Sequence, residues 1–219
     1  MRYILTLAIS LLSFASYAQT NSKYEEAILN RDPMGLRMHM ARTLVISDEI
    51  RLQGIKGDAL FMFKVDTTGF IDSIRMMYTT HELIAAQALD ALQRTDGRWT
   101  AARRNGKYQS AWMYVPVKID ASKNGNGLTD IAPVADSFYK AGLNTLQKGK
   151  HQGAMHLFNA AYNLNPANAQ PLYDLAQTYF KTRDKDIACF YLEKISTMIR
   201  GASAELKEMA AADMAKNCK

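Results

Sequence analysis

ADSFYKAGLNTLQKGKHQGAMHLFNAAYNLNP, residues 135–166, repeats its own order of small and large side chains when the chain is read 34 positions further on. Phe138, Gly142, Ala154, Phe158 and Ala161 are answered by Leu172, Ala176, Ala188, Leu192 and Ile195. Each copy reads as two successive helices. The small residues at 142, 154, 161, 176 and 188 let two helix backbones approach closely, and the large ones fill the space between them. Pro166 closes the first copy; the second carries Arg200 at that place. Thr145 of the first copy answers to Tyr179 of the second.

Two helix pairs leave an apolar face open, so a closing helix is expected. Residues 204–218 supply it, with Leu206, Ala210, Met214 and Cys218 spaced by four along one stripe. Toward the N-terminus, residues 122–134 read as a linker, beginning Ser122-Lys123-Asn124-Gly125-Asn126-Gly127. A different pattern precedes it. Residues 57–65 put Ala59, Phe61, Phe63 and Val65 on one parity and read as a half-buried strand. Asp66-Thr67-Thr68-Gly69 is a turn with glycine where a positive φ is needed, and residues 70–78 return as the second strand of a hairpin. Ala85, Ala88, Leu89 and Leu92 define a helix over 82–92, with His81 as its cap. Ala111, Met113, Val115, Val117 and Ile119 alternate along a strand over 109–119, after a turn at Asn105-Gly106. Residues 24–52 read as one or two helices broken around Pro33. Residues 19–121 are therefore expected to form an α+β domain, a small antiparallel sheet with packed helices. An all-α helical repeat domain with its closing helix follows over 135–219.

The chain opens with Met1-Arg2, an apolar run over residues 4–15 and Ser16-Tyr17-Ala18, the three parts of a secretory signal peptide cleaved between Ala18 and Gln19. The run is short of the ~20 residues of a spanning helix. Residues 1–18 are assigned to the signal, and export to a periplasm is the expected localisation. With 48% hydrophobic and 22% charged residues, the full chain has the composition of a folded globular protein. The net charge of +6 is scattered over both halves, which argues against nucleic acid as a partner. In an oxidising compartment Cys189 and Cys218, both on faces expected to meet, are paired here as a disulfide that pins the closing helix. His39, His81, His151 and His156 lack ligand spacing, so no metal and no cofactor are expected.

The residues also carry two resemblances. Ile55-Lys56-Gly57, the run from Phe63 through the Asp66 turn to Ile71, Asp96-Gly97-Arg98-Trp99 leading to Asn105-Gly106-Lys107, and Val115-Pro116-Val117 follow one another as in a TonB C-terminal domain, over about residues 40–120. Ile46-Ser47 stands where that family has Tyr-Pro, and Thr100-Ala101 follows the tryptophan in place of its proline. The five prolines, at 33, 116, 133, 166 and 171, build no long spacer of the kind an energy transducer needs. Residues 135–200 resemble two tetratricopeptide repeats. That resemblance implies a concave groove lined by the first helix of each repeat, with Asp136, Tyr139, Leu143 and Leu146, then Gln170, Tyr173, Gln177 and Phe180, on that side. Tyr139, Leu143, Tyr173, Gln177 and Phe180 are the candidate partner-binding residues. Packing of the same residues on the first domain is the alternative.

No nucleophile elbow, phosphate loop or zinc-protease helix is present in the sequence. The expected function is a non-enzymatic periplasmic interaction or scaffold protein with a protein or peptide partner in the cell envelope. Two alternatives remain at this level: a TonB-type energy transducer that keeps its N-terminal membrane anchor, and a subunit of an envelope enzyme complex. The last strand of the first domain is a further candidate edge for strand addition, beside a basic loop of Arg98, Arg103, Arg104 and Lys107 expected to be solvated.

Overall fold

The computed structural model describes residues 24–30, 35–122 and 131–218. The expected signal segment with its Ala18–Gln19 junction, Pro33 and most of the expected linker lie outside the described residues. The first unit comprises β1 (Tyr24–Glu25), β2 (Ile28–Leu29), α1 (Gly35–Thr43), α2 (Asp48–Gln53), β3 (Lys56–Val65), β4 (Ile71–Thr79), α3 (Glu82–Gln93), β5 (Trp99–Thr100), β6 (Ala102–Arg104), β7 (Lys107–Gln109) and β8 (Ala111–Asp120). The second comprises α4 (Ala132–Gln147), α5 (His151–Leu164), α6 (Gln170–Lys181), α7 (Lys185–Glu193), a π-helical turn (Lys194–Met198) and α8 (Ala204–Asn217). The architecture is α+β with an antiparallel sheet, followed by packed helices. α4 begins inside the segment read as linker.

β3 is the central strand of a three-stranded antiparallel sheet, flanked by β4 and β8. Its hairpin to β4 closes through Asp66, whose Oδ1 accepts from the backbone N–H of Thr68 and Phe70 at 2.8 and 3.0 Å. Gly69 has φ +93°, and a Cβ there would sit 2.2 Å from the Trp99 carbonyl oxygen, so the turn needs glycine on both counts. α3 starts at His81, whose Nδ1 accepts from the Leu83 N–H at 3.3 Å. It lays Ile84, Ala85, Ala88 and Leu92 on the face carrying Ala59, Phe61, Phe63 and Val65.

Two expectations need correction. Residues 24–29 are not helical. β1 pairs antiparallel with β6 (Tyr24 opposite Arg104) and β2 with β5 (Leu29 opposite Trp99), which buries Tyr24 and Leu29. The partners lie far along the chain, and a local periodicity carries no trace of them. The second correction concerns β3, which is buried on both faces, not one. Leu60, on the face away from α3, sits in a small core with Ala135 of α4 and Ala160 and Leu164 of α5. The helical array covers the sheet's second face, so the strand reads as a continuous apolar run.

α5 lies against β8 and β3 and α7 against β1, and the start of α4 joins them at Leu60. Ile187 and Phe190 of α7 pack on the first unit's core. Polar ties lie beside them. Arg104 reaches Asp184 at 2.7 Å and Asp186 at 3.3 Å, and Lys194 holds Glu26 at 2.9 Å. Arg37 donates to the Asn163 backbone carbonyl and side-chain oxygen, both at 3.2 Å. Arg104 is thus a strut between the units, and the expectation that its whole loop is solvated does not hold for it. Among the described residues, no helix is long and apolar enough to cross a membrane.

Candidate interaction groove

α4 and α5 pack closely because position 142 is glycine: a Cβ there would come within 2.7 Å of the Phe158 ring. Ala154, Ala176 and Ala188 are buried at the corresponding contacts. With α5 and α7 turned to the sheet, α6, α8 and the later turns of α4 form the layer away from it, while the first turns of α4 meet the sheet at Leu60 through Ala135.

The expected groove residues lie on that layer. Tyr139, Leu143, Leu146, Tyr173 and Phe180 are half-buried and pack on the helical core, and none belongs to the core of the first unit. The Tyr139 ring lies 5.9 Å from Phe158. Its hydroxyl crosses to the next repeat and donates to Asp174 Oδ2 at 2.6 Å. One step on, the Tyr173 hydroxyl and the Gln177 amide both donate to Asp213 Oδ2 of α8 at 2.6 Å. Gln170 adds a 3.4 Å contact to Asp174. These rungs tie α4 to α6 and α6 to α8 on one side of the array.

The rungs also set its electrostatics. Burial, then the Asp213 bond, pushes the Tyr173 phenol up to about 12. Burial and Asp174 raise Tyr139 as well. Both hydroxyls therefore stay protonated and donate. Among the described residues the hydrogen bonds to Asp174 and Asp213 come from neutral groups, and Asp136 is exposed. The two acceptors were missed in the sequence, where neither occupies a position of the repeat pattern.

α8 closes the array as expected. Leu206 and Ala210 are buried against α6 and α7, with Met214 and Cys218 packed beside them. Cys218 is bonded to Cys189 of α7, with their Cα atoms 5.8 Å apart. Ser203 caps the helix by accepting from the Leu206 N–H at 3.2 Å.

Residues 145–213 match the family model of the tetratricopeptide repeat. The tetratricopeptide match runs from within α4 to within α8, so it takes in the closing helix as well as the helices between. No curated protein and no solved structure matches the chain. The tetratricopeptide segment thus contains Tyr173, Gln177 and Phe180, and both ends of the Asp213 rung.

The other expected features lie elsewhere. β8 is an outer strand of the sheet, as is β4. Arg103 lies over the Tyr108 ring, 4.4 Å from its centroid, and Arg98 Nη1 sits 3.4 Å from His39 Nε2. Among the described residues no three His, Cys, Asp or Glu side chains cluster as metal ligands would.

Proposed function

We propose that this chain is an exported, non-enzymatic interaction protein of the cell envelope. Its tetratricopeptide groove holds an extended peptide segment of a protein partner, and the TonB C-terminal-like unit serves as the platform behind it. The observation that carries this reading is the tetratricopeptide match over a helical layer turned away from the sheet. Tyr139, Leu143, Tyr173, Gln177 and Phe180 supply ring and aliphatic surface, and Asp136, Asp174 and Asp213 favour a segment bearing Lys or Arg. The short leader read at residues 1–18 supports export, and the disulfide accords with an oxidising compartment. The short linker and the five scattered prolines argue for a platform over an energy transducer.

The test is expression in a diderm bacterium, fractionation, and selection of peptides from a displayed library on the purified protein. A soluble periplasmic species with its N-terminus at Gln19 is expected. Selected peptides should be basic and should lose at least about tenfold in affinity on Phe180→Ala with Gln177→Ala, at unchanged circular dichroism. A membrane-bound species keeping residues 1–18 would transfer the reading to a TonB-type transducer. Peptides indifferent to both substitutions would remove the groove.

A further inference from the structure

Away from the groove, the contact between the two units is incomplete. A cavity of about 320 Å³ opens where β8 meets α5 and α7. A smaller one of about 150 Å³ adjoins it, sharing Trp112, Tyr114, Asn159 and Tyr191 as walls. The larger is at the lower end of the range for small-molecule sites, and junctions between units are where such sites tend to form.

The lining is unusual for a mere packing defect. Tyr191 is 9% exposed, and Tyr179 stacks on it with ring centroids 5.8 Å apart. Among the described residues no hydrogen bond reaches either hydroxyl, so both are left for a ligand in the cavity. Gln109 of β7 and exposed Gln152 of α5, both in the lining, likewise make no side-chain hydrogen bond among the described residues. The Tyr114 hydroxyl, by contrast, is used: it lies 2.6 Å from His156 Nδ1. Trp112 stands edge-on to the same imidazole at 5.3 Å.

The charges in the lining are paired. Asp184, the one carboxylate among the lining residues of the larger cavity, is held by Arg104, no Lys or Arg is among those residues, and in the adjoining cavity Lys194 is paired with Glu26. Burial, with Arg75 nearby, lowers the His156 pKa, so the imidazole is neutral at pH 7. Among the lining residues a phosphate or carboxylate would find no cation, Arg75 lying outside them 6.0 Å from the centroid of the Trp112 ring, and an ammonium would find its carboxylate occupied. Aromatic rings interleaved with unspent hydroxyls and amides, without free charge, fit a ligand that is apolar on its faces and rich in hydroxyls on its edge.

We propose that the cavity between β8, α5 and α7 is a binding site for a neutral saccharide of one or two rings. The hydroxyls of Tyr179 and Tyr191 and the amides of Gln109 and Gln152 take its hydroxyl groups, and Trp112 forms a wall. This goes beyond the groove and does not depend on it.

The chain has two tryptophans, and Trp99 is buried in the sheet core, so Trp112 is the reporter. The full chain is titrated with glucose, N-acetylglucosamine, maltose and chitobiose, read by tryptophan fluorescence and calorimetry. At least one should bind saturably, with a dissociation constant between about 10 µM and 10 mM. The fluorescence change should vanish in Trp112→Phe. Gln152→Ala, at an exposed position, should weaken binding at least about fivefold without moving the melting temperature, and Tyr179→Phe should weaken it further. Phe180→Ala, in the groove, should leave it intact. No saturable binding by any of the four sugars overturns the proposal and leaves a water-filled crevice. So does binding indifferent to Gln152→Ala and Tyr179→Phe. Binding of tetramethylammonium in preference to all four sugars would overturn it in favour of an aromatic cation cage.

Discussion

In the helical array, contacts join close neighbours in the chain: Gly142 meets Phe158 across one turn, and Tyr139 reaches Asp174 in the next repeat. In the sheet unit, Tyr24 pairs with Arg104 and Leu29 with Trp99, from opposite ends of the unit. The array thus carries its own packing instructions in a short period, whereas the sheet unit is closed by distant segments and then by the array itself. Leu60 shows the asymmetry. It is fully buried, and the buried side chains in its cluster, Ala135, Ala160 and Leu164, come from the second unit, with Met77 and Tyr78 of β4 beside them. An element whose second face is covered by another unit cannot be stable alone in the form seen here.

The sharpest way to break that comparison is Leu60→Asp. A carboxylate there would be buried without a partner, at a cost of more than about 4 kcal/mol. Urea unfolding followed by Trp99 fluorescence and by helical circular dichroism should move to lower concentration as one transition. If the fluorescence transition falls while the helical one stays, the units are separable and the sheet's dependence on the array is wrong.

The next effect should stay within the array. Replacing Cys189 and Cys218 by alanine removes a closure across 29 positions, worth about 3–4 kcal/mol in the chain-entropy description. Hydrogen exchange should quicken in α8 first and leave β3 protected. Equal loss of protection in both would mean that the array is no more self-contained than the sheet.

The smallest effect sharpens the junction. Burial and Arg75 hold the His156 pKa below its ordinary 6.5, so the unfolded chain binds a proton there more readily than the folded one. The stabilisation is complete above pH 6.5 and is lost as pH falls toward and through the folded value. Denaturation midpoints should decline from pH 7.5 to pH 5, and His156→Gln should flatten that decline. An unchanged slope in the variant would remove His156 as its source.

The same contrast explains what the sequence disclosed. The repeat spacing located the small contacts at 142, 154, 176 and 188 and the closing stripe on α8, because helix packing is written at short range. The β3–β4 hairpin was legible through Asp66 and Gly69, and α3 through its alanine stripe. The strands at 24–29 and at 99–109 were not, since two- and three-residue strands have no period to detect and depend on partners elsewhere. Burial of β3 on both faces was hidden for the same reason: Leu60 looks like an ordinary strand residue until Ala160 and Leu164 of α5 lie over it. In the groove, aromatic residues were visible at repeat positions. Asp174 and Asp213 were not, because their role arises only when neighbouring helices bring a tyrosine to each.

The bond between Cys189 and Cys218 has a consequence for the last rung of the groove. Thiols on separate helices come within bonding range only after α8 has docked with its register correct. Asp213 rides on that same helix and completes the last rung with Tyr173 and Gln177. The covalent bond therefore limits how far α8 can leave α7, and with it how far Asp213 can leave Tyr173 and Gln177: the last rung is held by a tether as well as by its hydrogen bonds.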